Sequence, residues 1–141
     1  MRRDEIVTLF NRRREAFARR DAELLAVDHS VDGVVESPAA GGTVSGREAI
    51  AEIYRRFFAS FPDVTMDWSD LVIDGDRVVQ MATMSGTDTG GFMGLPPTGR
   101  RFSFPIALMF TLEDGLIAHE RRVYDFTGML VQIGLLKAKP A

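Results

Sequence analysis

The chain has 141 residues, with 17 Lys and Arg against 20 Asp and Glu, and a formal net charge of −3. This length predicts one domain over residues 1–141 with a single hydrophobic core. The mildly acidic balance argues against nucleic-acid binding. Cysteine is absent, which excludes disulfides and thiolate catalysis. A metal site would need carboxylates and the two histidines, and we expect none.

The N-terminal residues lack the apolar core of a signal peptide. No apolar run approaches the roughly 18 residues that a membrane-spanning helix needs. We therefore expect a cytoplasmic protein without a membrane partner.

Helical periodicity marks the N-terminal region. Apolar spacing predicts a first helix through Ile6, Leu9, Phe10, Arg13 and Phe17. The intervening charged residues are expected to face water: Arg12, Arg14, Glu15, Arg19 and Arg20. A second short helix is predicted over Asp21–Val27, and a strand over Val31–Ser37.

A third helix follows the Gly41-Gly42 pair. Ser45 and Glu48 have the spacing of a capping box, and Pro62 ends the helix. Its wide apolar stripe contains Ile50, Ile53, Tyr54, Phe57, Phe58 and Phe61. This aromatic content suits a helix lying over a concave sheet.

The sequence pattern then changes to strands. Four are predicted: Val64–Ile73, Arg77–Thr87, Arg101–Leu112 and Leu116–Asp125. Asp74-Gly75 and Asp114-Gly115 are typical of tight hairpin turns, and Phe126–Leu136 is predicted to be a closing helix. Helices followed by an antiparallel meander indicate an α+β fold.

The segment Gly86–Gly99 contains five glycines and two prolines, which predicts a loop. It also contains Phe92, Met93 and Leu95, so we expect it to fold back against the sheet or a dimer partner, at the rim of a pocket. Asp88 at its entrance is explained most simply by turn chemistry.

The register of the last hairpin decides which polar groups face the core. A two-residue Asp114-Gly115 turn places His119, Arg121 and Asp125 on the face that carries Phe104 and its neighbours. A three-residue loop instead turns Asp125 outward. We favour the two-residue turn because Asp-Gly suits it.

Charged groups on an apolar face must be paired, shifted in pKa, or exposed to a cavity, and a pocket satisfies that requirement. Each residue also has a structural explanation. Asp125 could cap the closing helix, His119 could be a structural histidine, and Arg121 could balance Glu36. Six residues of strand separate His119 from Asp125 by about 20 Å, which excludes a dyad.

Several motifs together resemble the SnoaL-like proteins of the NTF2-like superfamily. They are the Gly86–Gly99 segment, Ser45–Ile50, Phe61-Pro62-Asp63, Arg101–Pro105, Glu113–Ile117, and Tyr124-Asp125 followed by Gly128–Leu136. The resemblance covers about residues 23–136. It implies a cone-shaped α+β fold, in which N-terminal helices wrap a curved antiparallel sheet around an apolar pocket, and a homodimer.

The resemblance also implies the chemistry. In the characterised cyclases an aspartate is the acid/base of an intramolecular aldol closure, without cofactor or metal, and Asp125 resembles it. The expected contacts of an apolar small-molecule ligand are Tyr54, Trp68, Phe92, Met93, Phe104, His119 and Arg121.

The chain differs from the cyclase pattern at several positions. The strand Arg101–Leu112 contains no histidine, Asp88 replaces a loop histidine, His119 replaces an acidic residue, and Arg121 replaces a common tryptophan.

We therefore consider four functions. The first is a cofactor-independent cyclase, isomerase or lyase acting on an apolar carbonyl compound. The alternatives are a non-catalytic binding domain, a structural dimer module, and an epoxide hydrolase, for which the Arg121–Asp125 spacing is a poor match.

Overall fold

The computed structural model describes residues 1–137. Its elements in chain order are α1 (Arg3–Ala18), α2 (Ala22–Val27), β1 (His29–Ser37), a 3₁₀ turn (Pro38–Ala40), β2 (Gly42–Ser45), α3 (Arg47–Ser60), β3 (Thr65–Asp74), β4 (Arg77–Thr87), β5 (Arg101–Glu113), β6 (Leu116–Tyr124) and α4 (Phe126–Gln132). The α+β class is confirmed. None of the helices in residues 1–137 combines the length and apolar character needed to cross a membrane.

The strands form one curved sheet in the order β2-β1-β6-β5-β4-β3. Neighbours are antiparallel except β1 and β6, which are parallel. The even positions of β5 are buried, as predicted. Helices α1 and α3 cover this concave face: Phe10 lies edge-to-face on Phe110 with ring centroids 4.8 Å apart, and Phe61 lies on Phe102 at 4.9 Å.

Helix α1 buries the predicted apolar stripe, including Arg13. The prediction that the other arginines face water is wrong for Arg14 and Arg20, which are half-buried. Arg14 Nη2 donates to the Ser69 carbonyl at 2.8 Å, and Arg20 Nη2 donates to the Val64 carbonyl at 3.0 Å. Arg14 therefore links α1 to the backbone of β3, and Arg20, just after α1, links the chain to Val64 before β3.

The predicted capping box of α3 is wrong. Ser45 still belongs to β2, where it pairs with Val34, so its hydroxyl is not the helix cap. Gly46 is the N-cap residue with φ of 92°, a backbone conformation that glycine adopts readily, and no side chain caps the helix. The Glu48 carboxylate instead forms an ion pair with Arg55.

The last hairpin has the predicted two-residue turn, but its register shifts by one residue a little farther along. Glu113 pairs with Leu116 beside the turn, whereas Thr111 pairs with His119 beyond it. Ala118 is the extra residue of a β-bulge. A shift of one residue turns every later side chain of the strand to the opposite face of the sheet.

The bulge reverses the predicted orientation of β6. The side chains that face the concave side are Glu120, Arg122 and Tyr124. The prediction that His119, Arg121 and Asp125 share the face of Phe104 is wrong for this reason. The outcome matches the three-residue alternative, although the extra residue lies in the strand and not in the turn.

The Gly86–Gly99 segment packs against the end of α3, where the Gly90 N–H donates to the Ser60 carbonyl at 3.0 Å. A Cβ at Gly90 would lie 1.8 Å from the Ala59 carbonyl oxygen, so this close approach requires glycine. Asp88 is buried. Its carboxylate accepts hydrogen bonds from the Gly91 N–H, the Thr98 N–H and the Thr98 hydroxyl at 3.1–3.2 Å. The expected turn role of Asp88 is thus confirmed.

The three apolar side chains of this segment differ in burial. Phe92 is buried and lies against Phe61 and Phe126 with ring centroids 5.1 and 6.3 Å away. Met93 is 60% exposed and Leu95 is 48% exposed. Only Phe92 therefore folds back in the predicted way within this chain.

Candidate functional site

A pocket lies between the concave face of the sheet and helices α1 and α3. Much of its wall is aliphatic or aromatic, with Phe17, Phe57, Trp68, Met84, Leu108 and Phe110. The space open to the centre of a water-sized molecule is about 60 Å³. One water needs about 10–15 Å³ by this measure. The pocket thus has room for several waters or part of a small ligand.

Glu120 is the centre of a charged cluster on one side of this pocket. Its Oε2 accepts from Arg122 Nε at 2.5 Å, and its Oε1 lies 3.1 Å from His29 Nε2 and 3.5 Å from Arg13 Nη2. Burial alone would raise the pKa of Glu120, but the charges of Arg122, His29 and Arg13 outweigh it and lower that pKa. Glu120 is therefore an ionised partner for the arginines and a weak base.

Arg122 lies beside Tyr54 in this cluster. Its guanidinium carbon is 4.8 Å from the Tyr54 ring centroid, a cation–π contact. The Arg122 Nη2 atom is buried and has no hydrogen-bond partner in the described part of the chain. A buried donor without an acceptor costs about 1–3 kcal/mol. The geometry indicates that water or a ligand oxygen completes this group.

Tyr54 supplies a second donor. Its oxygen accepts a hydrogen bond from Arg13 Nη2 at 3.2 Å, which leaves the phenolic proton free to donate. Burial, and then the charge of Glu120, raise the pKa of Tyr54. Burial also raises the pKa of Tyr124, another lining residue. Both hydroxyls therefore keep their protons at neutral pH.

A second cavity, the outer cleft, continues from the pocket towards the surface. The two share Ser37, Ala39, Phe57 and Arg122. Phe92 and Met93 line the outer cleft, so the Gly86–Gly99 segment contributes one of its walls. Because Arg122 lines both cavities, it lies where they meet.

The predicted ligand contacts are distributed over the two cavities. Tyr54 and Trp68 line the pocket, and Phe92 and Met93 line the outer cleft. Phe104 is buried next to the pocket and stacks on Tyr124 with ring centroids 5.0 Å apart.

The three ionisable residues predicted for the pocket lie outside its lining. His119 Nε2 and Arg121 Nε are 3.4 and 3.9 Å from Glu36 Oε2, so Arg121 does balance Glu36. Asp125 is exposed and is the N-cap of α4, where its Oδ1 accepts from the Gly128 N–H at 2.8 Å. The helix-cap alternative for Asp125 is confirmed. Its catalytic role stays a prediction.

Sequence reasoning missed the charged residues of the pocket: Arg13, Arg14, Glu120 and Arg122. Arg13 had a signal, because it falls on the apolar stripe of the first helix. Glu120 and Arg122 had none, since the Asp-Gly turn gives no indication of a bulge at Ala118. Among residues 1–137, no three His, Asp or Glu side chains come together as metal ligands.

The fold and pocket define a class of small α+β proteins with a helix-covered curved sheet, and known proteins of this class match the chain. The family model for SnoaL-like polyketide cyclase matches residues 8–133. The chain belongs to the SnoaL-like polyketide cyclase family. No match to a functionally curated protein was found.

Solved structures agree with this assignment. TsrD from Streptomyces laurentii is 29% identical, with 96% of this chain and 99% of that chain covered and a TM-score of 0.83. IdmH from Streptomyces antibioticus is 32% identical, with 93% and 96% covered and a TM-score of 0.71. An NTF2-like protein from Burkholderia pseudomallei is 17% identical, with 92% and 98% covered and a TM-score of 0.79, which shows the fold alone.

Proposed function

We propose that the protein is a cofactor-independent enzyme that binds an apolar carbonyl compound in the pocket and stabilises its enolate. When a proton leaves the carbon beside a carbonyl group, negative charge develops on the oxygen. Preorganised donors directed at that oxygen lower the barrier. An enolate is the shared intermediate of intramolecular aldol cyclisation, isomerisation and carbon–carbon lyase reactions, so the proposal covers these related outcomes.

One observation carries the proposal: Arg122 Nη2 is buried without a partner in the described part of the chain, and its guanidinium lies over the Tyr54 ring. A carbonyl oxygen that accepts from Arg122 Nη2 and the Tyr54 hydroxyl would satisfy a donor that otherwise carries a desolvation cost. Glu120 holds Arg122 through its Nε, so the guanidinium is fixed in place before a ligand arrives. The aromatic and aliphatic wall would bury the rest of the substrate.

The proton acceptor in this proposal is a pocket water. Glu120 has a lowered pKa, and a carboxylate of low pKa is a poor base near neutral pH. The acid/base role that the family resemblance implies for Asp125 is not needed. We expect a modest rate, because the acceleration comes from oxygen stabilisation without a strong base.

Hydrogen–deuterium exchange of the acetophenone methyl group tests the proposal. In D₂O, the proton signal of this methyl group decreases as the enolate forms and takes up deuterium. We expect saturable catalysis by the native chain and a loss of about 100-fold in Arg122→Gln, the size of effect seen when one oxyanion donor is removed. Arg121→Gln is the matched control, since this exposed neighbour contacts Glu36.

Tyr54→Phe provides a second test that does not disturb the Arg122–Glu120 ion pair. It should lower the exchange rate and leave the circular dichroism spectrum unchanged. Equal exchange rates in the native chain, Arg122→Gln and Tyr54→Phe would contradict the proposal.

A second candidate is a non-catalytic binding protein. It is favoured by the lowered pKa of Glu120, which leaves the pocket without a strong base. It predicts that acetophenone binds with saturation, as seen by line broadening, while the methyl exchange rate equals that of buffer. The two measurements on one sample therefore distinguish the candidates.

We also propose a homodimer through the outer face of the sheet. The support is a set of exposed apolar side chains, Met81, Met109 and Val123, which lie on adjacent strands through the pairs Met81–Ala107 and Ala107–Val123. Exposed apolar patches often mark interfaces. Light scattering should give a dimer for the native chain and a monomer for Met109→Glu, with the exposed helix residue changed in Val27→Glu as control.

A further inference from the structure

The pocket is cationic, although the chain as a whole is acidic. The charged side chains in its lining are three arginines and one glutamate, a formal charge of +2, against −3 for the whole chain. Arg13 forms ion pairs with Asp28 and Glu120, and Arg122 pairs with Glu120. These two arginines therefore have carboxylate partners.

Arg14 has no carboxylate partner in the described part of the chain. Its neighbours are neutral: Nη2 donates to the Ser69 carbonyl at 2.8 Å, and the guanidinium carbon is 5.9 Å from the Trp68 ring centroid. With the side-chain amide of buried Gln80 turned so that its oxygen faces the guanidinium, that oxygen accepts from Arg14 Nε at 3.0 Å. A pocket cation held by neutral groups retains its attraction for an anion.

Gln80, which contacts Arg14, and Arg122 are at opposite ends of one row of residues across the sheet. Gln80 of β4 pairs with Leu108 of β5, and Leu108 pairs with Arg122 of β6. Two strand spacings place Gln80 and Arg122 about 10 Å apart at the backbone. Leu108 provides an apolar surface between them.

We propose that the ligand is an apolar keto acid, with its carboxylate on Arg14 and its carbonyl oxygen on Arg122 and Tyr54. The inference rests on the proposed function, since it uses the same carbonyl position. It adds a substrate class and a specificity-determining residue. The apolar part of the ligand lies over Leu108, and the two oxygen groups occupy the two ends of the row.

The test compares 4-acetylbenzoate with acetophenone, which differ only by the carboxylate. Binding is followed by NMR titration, and exchange of the common acetyl methyl group by loss of its signal in D₂O. We expect 4-acetylbenzoate to bind at least about tenfold more tightly, as a charge-assisted hydrogen bond provides. Arg14→Gln should remove this advantage.

Arg19→Gln is the matched control, because this exposed arginine lies beside the end of the same helix. It should keep the full preference for the acid. The native-chain comparison needs no variant, so the proposal remains falsifiable if Arg14→Gln does not fold.

Each other outcome identifies which proposal fails. If acetophenone binds and exchanges but the acid binds no more tightly, the keto-acid inference is overturned and the proposed function stands. If the preference for the acid survives in Arg14→Gln, the assignment to Arg14 is wrong. If neither probe binds, the proposed function fails and the inference fails with it.

Discussion

Arg121 and Arg122 are consecutive residues of the same type on one strand, and their surroundings differ completely. Arg121 is exposed on the outer face, 3.9 Å from half-exposed Glu36. The Arg122 side chain is 16% exposed, pairs with the buried Glu120, and lines the pocket. A surface pair of the first kind contributes about 0–1 kcal/mol, whereas a charge in a buried pair depends on its partner. The comparison shows that strand register, and not residue type, decides which arginine is available to a ligand.

The largest expected effect comes from the contrast between Glu120 and Glu36, the carboxylate partners of Arg122 and Arg121. Glu120→Gln removes the charge that neutralises Arg122 and Arg13 in a buried site. Breaking a buried pair in this way should lower the free energy of unfolding by about 3 kcal/mol. Glu36→Gln removes the outer-face partner of Arg121 and should change it by less than about 1 kcal/mol. Equal losses in urea titrations would mean that the two faces do not differ energetically.

The sequence predicts most of the fold, because alternation and helical periodicity report the burial pattern directly. The strands β4 and β5 and the cap at Asp125 follow from local rules that the structure obeys. The pocket charges could not be predicted in the same way. A bulge depends on how β6 pairs with both β5 and β1, whose register shifts in the same region. No pattern within β6 itself contains that information.

The stability that Glu120 contributes should depend on pH. The pKa of Glu120 is lowered from its ordinary value of 4.5 in the folded chain. The unfolded chain therefore takes up a proton first as the pH falls. The stabilisation is complete above about pH 4.5 and decreases progressively below it.

Urea unfolding measured from about pH 3.5 to about pH 7 follows this change. The difference in stability between the native chain and Glu120→Gln should be largest at neutral pH and should shrink on acidification. The difference for Glu36→Gln should stay small throughout. A Glu120→Gln difference that grows as the pH falls would contradict a lowered pKa of Glu120 in the folded chain.

The smallest effect concerns Asp125, which is exposed and lies outside the pocket lining. Asp125→Ala removes the acceptor for the Gly128 N–H and should lower the free energy of unfolding by about 1 kcal/mol, the usual cost of losing a helix cap. Asp125→Asn keeps a good capping residue and should cost less. Both variants should catalyse acetophenone exchange as the native chain does, because Asp125 does not line the pocket. A variant with native stability and no exchange would restore Asp125 as the acid/base and would mean that the outer side of β6 takes part in the chemistry.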